Sequence, residues 1–246
     1  MIGASVDTRP GRDGRRAVRH LIGDLLLIAG GILLAYPLWS GLLATVQQGR
    51  LDDAYGRETA RFTETVRSAK DKASKSEVPP GVEVHRLATL FAETLRPGDP
   101  VARLTIPRLD LEHVVQEGVS GRVALDPNGD RKLLRNGPVH YGITPLPGAG
   151  DPFAVAGHRT TYGAPFSRLD ALRKGDRVVV ETPYARFVYA VARTTVVQPD
   201  DVGVLRDRGY GLVLTTCTPR YSASHRLIVW ARTVSFELRQ RWGADE

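Results

Sequence analysis

The chain has 246 residues, of which 34 are Lys or Arg and 27 are Asp or Glu, so its net charge is +7. Its 42% hydrophobic content excludes a wholly disordered chain, and its length allows one domain with additional segments. A single cysteine excludes a disulfide-stapled scaffold and any metal site built from several thiolates. Cys217 is therefore either an inert small hydrophobic residue or a chemically active thiol.

An uncharged apolar segment of 22 residues lies near the N-terminus, at residues 25–46. As a helix it would be roughly 33 Å long, which is enough to cross a bilayer. A cleaved signal peptide is the alternative, but its apolar core is usually about 7 to 15 residues long. We therefore expect a transmembrane helix that acts as a signal anchor.

Basic residues are concentrated before this segment, within residues 1–24, at Arg9, Arg12, Arg15, Arg16 and Arg19. The positive-inside rule then predicts a cytoplasmic N-terminal tail and places everything after residue 46 outside the cytoplasm, on a chain that crosses the plasma membrane once. The same arginines would contact anionic lipid. Because no aromatic residues are interleaved with them, we expect no nucleic-acid partner.

Residues 47–97 are predicted to form an extracytoplasmic stalk followed by a short helix. The stalk is polar, mixed in charge and rich in helix-forming residues, and it ends at Pro79, Pro80 and Gly81. Over residues 85–95 an apolar stripe recurs at helical spacing, which predicts a helix packed on the next domain. A lid over a binding site is the alternative for this helix. The stripe comprises Leu87, Leu90, Phe91 and Leu95.

From residue 98 the pattern changes to short β-type runs separated by Gly and Pro, which predicts a mainly β domain over residues 98–236 and a tail over 237–246. About seven or eight strands in this length favour a closed or nearly closed barrel. Two short helical pieces are expected, at 132–135 and 165–172. The predicted strands are 102–106, 113–116, 153–156, 177–181, 186–197, 212–216 and 226–234.

Cys217 follows the apolar run 212–216 and precedes Thr218-Pro219, at the point where a strand gives way to a turn. Such a position suits a nucleophile, but a thiol needs a base or an ionic partner because it is mostly protonated near pH 7. His158 is placed at a similar strand end, after Phe153-Ala-Val-Ala-Gly157. His140 is the competing candidate, and its position alone does not exclude it.

Attack of a thiolate on a carbonyl also requires a group that stabilises the oxyanion. Arg226 begins the strand after Cys217, so a hairpin-like return would bring its guanidinium beside the sulfur; a solvated charge is the alternative. We expect no metal and no cofactor. Asp200 and Asp201 supply at most half of a calcium site. A zinc site formed by His140, His158, Cys217 and His225 lacks familiar ligand spacing.

Three motifs together resemble the sortases, membrane-anchored cysteine transpeptidases of Gram-positive bacteria. They are Leu214-Thr-Thr-Cys217, His225-Arg226, and Ala156-Gly-His158-Arg159 about sixty residues upstream. The resemblance covers about residues 101–234 together with the N-terminal anchor. It implies a sortase-type barrel in which Cys217, His158 and Arg226 are catalytic. Tyr141, Thr215, Thr216 and His140 are then expected at the substrate, with ordinary strand or core roles as the alternative.

A second set of residues is similar to the class E sortases of high-GC actinobacteria. It comprises Gly137-Pro-Val-His140-Tyr141, Leu146-Pro-Gly and the segment 154–166. In that class a Tyr at the position of Tyr141 accompanies a preference for LAxTG over LPxTG sorting signals. The sequence shows none of three features that other sortase classes have, which agrees with class E. These features are a lid aromatic after Asp99-Pro100, a second membrane span after residue 234, and a helical insertion in 198–209. Classes F and D are the alternatives.

The resemblance implies acyl transfer from secreted proteins that bear a C-terminal sorting signal to an amine of a peptidoglycan precursor. Cys217 would form a thioester with the Thr of the signal, and the amine would then resolve it. Two other functions use the same features. A membrane-tethered binding module would have no activity for Cys217→Ala to abolish, and a cysteine hydrolase would release the acyl group to water even in the presence of an amine.

Overall fold

The computed structural model describes residues 12–72, 78–119 and 131–239, so residues 1–11 of the predicted N-terminal tail and 240–246 of the predicted C-terminal tail lie outside them. The chain divides into two compact units, residues 1–40 and 41–246. Helix α1 (Arg12–Lys72) supplies the described part of the first unit and continues into the second. Within α1, the segment Arg19–Ser68 contains a stretch long and apolar enough to cross a membrane, and none of that stretch is buried in the protein. This helix fits a membrane anchor.

The second unit is built on a closed eight-stranded barrel, which confirms the predicted fold. The strand order is β1-β2-β3-β4-β7-β8-β6-β5. The pairs β2–β3 and β4–β7 are parallel, and the remaining pairs are antiparallel. The strands are β1 (Pro100–Ile106), β2 (Leu111–Glu117), β3 (Val139–His140), β4 (Phe153–Ala156), β5 (Arg177–Glu181), β6 (Ala185–Val197), β7 (Leu212–Thr218) and β8 (His225–Leu238).

All seven predicted strands are present, and the bounds of β4 and β5 agree with the prediction. The prediction missed β3, since a two-residue strand leaves no periodicity to detect. Helix α3 (Arg131–Leu134) lies one residue before its predicted position. The helical piece predicted near 165–172 is present only as a short 3₁₀ helix at Leu169–Ala171, and the residues before it form turns. The Phe166 N–H donates to His158 O, and the Ser167 N–H donates to Ala164 O; these bonds hold the first residues of the segment in turns.

The second part of α1 packs on the barrel, whereas the sequence predicted a stalk. Its buried residues recur at helical spacing along one face, at Ala44, Tyr55, Thr59, Phe62 and Val66. The Tyr55 hydroxyl donates a 2.6 Å hydrogen bond to the carbonyl oxygen of Glu181 in β5. From Tyr55 to Val66 the large apolar side chains lie on the buried face, and Arg57, Arg61 and Glu64 are exposed, so this part of the sequence looks polar as a whole.

Helix α2 (Pro80–Ala92) also packs on the barrel, as expected for the helix after the stalk. It begins at Pro80 rather than at residue 85, because proline is well suited to the first turn of a helix. Its buried apolar side chains are Val84, Leu87, Ala88 and Phe91. Phe62 of α1 meets Phe91 edge-to-face, with ring centroids 5.0 Å apart, so the two helices and the barrel share one core.

Candidate active site

The alternation of side chains along β7 determines where Cys217 points. Leu212 and Leu214 belong to the larger core, whereas Val213 belongs to a second apolar cluster on the opposite face of the strand. With a period of two, Thr215 and Cys217 share the face of Val213. In the neighbouring strand β8, Arg226 is directly opposite Cys217. The hairpin return predicted from the sequence therefore brings the guanidinium and the thiol into one pair.

The parallel pairing of β4 with β7 brings His158 to the same end of the sheet. Ala156 is paired with Thr215, and the Gly157 N–H donates to Thr215 O at 3.1 Å. The Thr216 hydroxyl returns a 2.8 Å bond to the Gly157 carbonyl. Only glycine fits at position 157, since a Cβ there would lie 2.5 Å from the Phe166 ring. These contacts fix the backbone on which His158 is carried.

One small pocket gathers the side chains at these strand ends. Cys217 and His158 are half-buried, and Arg226 is 4% exposed. The three residues predicted to be catalytic thus meet at a single concave site, together with three of the four predicted substrate-binding residues. The pocket is lined by Leu134, Tyr141, Ala156, Gly157, His158, Thr215, Thr216, Cys217 and Arg226.

His158 has an environment that disfavours its charged form. Burial lowers the pKa of the imidazole, and the positive charge of Arg135 lowers it further. The His158 ring lies 5.2 Å from the Tyr162 ring, and the Arg135 guanidinium lies 5.5 Å from the centre of that same ring. Because its pKa is lowered, the imidazole is mainly neutral at pH 7.

Arg226 is held by the turn that connects β7 to β8. Its Nη1 donates to the carbonyl oxygens of Ala223, at 2.9 Å, and of His225, at 3.1 Å. These bonds orient the planar guanidinium beside Cys217 and place a permanent positive charge at the pocket. Such a charge can stabilise an oxyanion that develops there.

Arg159 is a further residue at the site, to which the sequence assigned no role although it follows His158 directly. Its Nη1 donates to the Thr218 hydroxyl at 2.7 Å and to the Cys217 carbonyl at 3.4 Å. Its Nη2 forms a 2.9 Å ion pair with Asp170. Arg159 therefore ties the loop after β4 to the end of β7. Its position directly after Gly157-His158 was the sequence signal that could have identified Arg159 as a residue of the site.

Tyr141 and Thr215 form a polar contact in the floor of the pocket. The Tyr141 hydroxyl and the Thr215 hydroxyl are 2.8 Å apart, and both side chains are buried. Thr216 lies beside them and bonds to Gly157 O. The structure thus places Tyr141, Thr215 and Thr216 in the lining of the pocket that contains Cys217.

His140 does not line the pocket. Its Nδ1 lies 2.8 Å from a carboxylate oxygen of Glu117, and its Nε2 lies 3.0 Å from the Thr144 hydroxyl. The ring stacks on Phe153 and is 2% exposed. Successive side chains of an extended backbone point to opposite faces, so Tyr141, the residue after β3, reaches the pocket while His140 is buried in polar contacts away from it. Substrate contact by His140, and a zinc site that includes it, do not fit this placement.

Among the described residues, no group of three or more His, Cys, Asp or Glu side chains is arranged to hold a metal ion. Asp200 and Asp201 form the turn before the 3₁₀ helix Val202–Arg206. The Nε2 atom of His225 lies 3.4 Å from Gln198 Nε2, and its Nδ1 atom lies 3.0 Å from the Ser224 hydroxyl.

Comparison with known proteins identifies a family. The model of the Sortase domain matches residues 104–234, more than half of the chain. Sortase SrtE1 of Streptomyces coelicolor is 36% identical over 168 residues, an alignment that covers 62% of this chain and 45% of that relative. The chain thus spans less than half the length of that relative. Sortase SrtE2 of the same organism is 27% identical, with 93% of this chain and 87% of the relative covered.

Solved structures of sortases share the fold. The crystal structure of Sortase E1 from Streptomyces coelicolor, with a tripeptide in its active site, has a TM-score of 0.52 and 34% identity. That alignment covers 62% of this chain and 98% of the other. The Sortase D5 transpeptidase of Clostridium perfringens has a TM-score of 0.52 and 25% identity over 74% of this chain and 99% of its own.

Proposed function

Because this chain belongs to the sortase family, whose members are cysteine transpeptidases, we propose that Cys217, His158 and Arg226 carry out acyl transfer from a sorting signal to a cell-wall amine. The observation that carries this proposal is the convergence of these three side chains on one pocket, from the ends of β7, β4 and β8. In that arrangement a nucleophile, a general acid–base and an anion-stabilising cation are adjacent.

In the first step, the Cys217 thiol transfers its proton to His158 and the thiolate attacks the Thr carbonyl carbon of the signal. Arg226 stabilises the oxyanion of the tetrahedral intermediate. The intermediate collapses to a thioester, and His158 gives its proton to the departing amine of the following Gly. In the second step, the acceptor amine attacks the thioester carbon and His158 accepts the amine's proton; the C–S bond then breaks, which releases Cys217 and leaves an amide bond between the signal and the acceptor. The neutral imidazole favoured by its lowered pKa suits this second step.

Tyr141 is proposed to contact the second residue of the signal and to favour LAxTG over LPxTG. Its hydroxyl, held by Thr215 in the pocket floor, supports this role. The similarity to Sortase SrtE1 supports the class E assignment. The tripeptide in the active site of Sortase E1 supports peptide binding at the equivalent pocket here.

The test uses the full chain in detergent micelles, with LAxTG and LPxTG peptides and an acceptor amine such as triglycine or diaminopimelate. Mass spectrometry separates the transfer product from the hydrolysis product. We expect transfer that is faster with LAxTG and absent in Cys217→Ala. Cleavage by Cys217→Ala, or no cleavage by the wild type, would refute the transpeptidase assignment. Release to water alone would identify a hydrolase, and a preference for LPxTG would remove the role of Tyr141.

We further propose that the N-terminus is cytoplasmic and that the barrel faces the cell wall, where the secreted proteins and the peptidoglycan precursor meet. The arginines before residue 20 and the exposed apolar side chains of α1 support this topology. Cys217 is the only cysteine, so a membrane-impermeant maleimide reports on it alone. Labelling in intact protoplasts is expected, and labelling only after lysis would contradict the topology.

A further inference from the structure

The side-chain amide of Gln48 in α1 makes three hydrogen bonds to the barrel backbone. Its Oε1 accepts from Val114 N at 2.8 Å, and its Nε2 donates to Asn136 O at 2.7 Å and to Val114 O at 3.3 Å. The backbone turns around this amide at Gly137, where φ is +148° and where a Cβ would overlap Gln48. The turn between α3 and β3 is therefore built around a residue of α1.

That turn is adjacent to the residues that contact His158. Arg135 precedes Asn136, and its guanidinium lies over the Tyr162 ring, which lies against His158. Tyr162 has a φ of 52°, a conformation that a bulky residue adopts only when its surroundings hold it. Ala44 of α1 packs against Gly163, the residue after Tyr162. Helix α1 thus contacts both loops that bring Arg135 and Tyr162 together.

We propose that Gln48 is a positioning residue for His158: it fixes the turn at Asn136, which holds Arg135 over Tyr162, and Tyr162 holds the imidazole. The other charged or titratable groups at the pocket are Tyr141 from the segment after β3, Cys217 from β7 and Arg226 from β8. None of these three is bonded to Gln48. This inference rests on the proposed function, and its tests are chosen so that the two can fail separately.

The first test compares Gln48→Leu with Gln47→Leu in the full chain in micelles. Gln47 is half-buried and makes no hydrogen bond to the described residues of the barrel, so it is a matched control. We expect kcat/KM to fall about tenfold in Gln48→Leu, because the reacting groups are displaced. The limb of the pH–rate profile set by His158 should move to higher pH, because the charge of Arg135 is no longer held near the ring. Gln47→Leu should change neither quantity.

A double-mutant cycle then asks whether Gln48 acts through Arg135. Arg135→Gln alone should move the same limb to higher pH, and adding Gln48→Leu to it should cause no further movement. Two shifts that add in full would overturn the proposal. A loss of activity in Gln48→Leu with an unmoved pH limb would also overturn it, since that result describes a structural role only.

A second readout needs no peptide substrate. Cys217 is the single cysteine, so the pH dependence of its alkylation by iodoacetamide reports on its coupling to His158 in every variant. We expect the alkylation profile to change in Gln48→Leu and in Arg135→Gln but not in Gln47→Leu. An unchanged profile in Gln48→Leu refutes the proposal even if the wild type cleaves no peptide. If Gln48→Leu fails to fold, Gln48→Glu replaces it, since it keeps the acceptor for Val114 N and loses the donor to Asn136 O.

Discussion

Arg226 is the most deeply buried of the three proposed catalytic side chains, and two carbonyl oxygens of the β7–β8 turn fix its guanidinium. A lysine would keep the charge but not the planar set of donors. We therefore predict that Arg226→Lys lowers kcat about 10²- to 10³-fold, the range seen when an oxyanion donor is removed, while KM changes little. Steady-state kinetics with the preferred peptide measures both constants.

Arg232→Lys is the matched control, because Arg232 is exposed on the same strand as Arg226. It should behave like the wild type. A rise in KM at unchanged kcat in Arg226→Lys would instead assign Arg226 to substrate binding in the ground state.

The residues at strand ends could be predicted from sequence, and those that support them could not. Cys217, His158 and Arg226 each adjoin an apolar run, so their positions in the barrel followed from the strand pattern. No strand pattern surrounds His140, and Glu117, the residue that its imidazole contacts away from the pocket, lies 23 residues away in sequence. Gln48 contacts Asn136 across 88 residues, a relation that no local pattern contains.

At the scale of elements, the region after the membrane segment differs most from its prediction. Between Tyr55 and Val66 only Tyr55, Phe62 and Val66 are large and apolar on the buried face of α1. Such a sparse stripe becomes visible as an interface only when its partners, Phe91 and Tyr184, are known. In contrast, β4 to β8 were predictable because each is a run of apolar or alternating residues bounded by turn residues.

Phe62 is the test of this interface. It is 4% exposed and lies edge-to-face with Phe91 and Tyr184, so Phe62→Ala leaves a cavity between α1, α2 and the barrel. We predict a loss of about 3–5 kcal/mol in the free energy of unfolding, measured by denaturant titration of the full chain followed by far-UV circular dichroism.

Arg61→Ala provides the comparison, since the Arg61 side chain is 77% exposed and pairs with Glu58 in the same helix. Its effect should stay within about 0.5 kcal/mol. Equal stability of Phe62→Ala and the wild type would show that α1 is dispensable to the barrel. A soluble version of the protein should accordingly begin near Gly41 rather than near Pro80, because the later start removes Phe62 and Gln48 together.

At the scale of the whole molecule, the lowered pKa values of His113 and His158 are expected to make stability depend on pH. Burial lowers the pKa of His113, whose Nδ1 is buried without a hydrogen-bond partner among the described residues, and burial and Arg135 lower that of His158. Both therefore bind protons more readily in the unfolded chain, where their pKa is about 6.5. Stability is fully present above that value and is lost as the pH falls through it.

We predict that the wild type loses at most about 1.4 kcal/mol per histidine between pH 7.5 and pH 5.5, the linkage limit for one group that stays neutral when folded. His113→Gln should show a shallower fall, and its thermal unfolding at the two pH values can be compared directly with that of the wild type. A fall as steep as that of the wild type would mean that His113 contributes nothing to the acid sensitivity.

The parallel pairing of β4 with β7 has a consequence for folding. Strands β5 and β6 lie between β4 and β7 in the sequence, so the hydrogen bond from Thr216 to Gly157 joins residues that are 59 positions apart. In the barrel, β7 is paired with β4 on one side and with β8 on the other. Contacts of such high sequence separation form slowly in β proteins. If Cys217, His158 and Arg226 act as proposed, Cys217 meets its base and its cation only when the last strands close the barrel. Its nucleophilic reactivity would then be a late product of folding, and incomplete chains would be expected to form no thioesters with peptides.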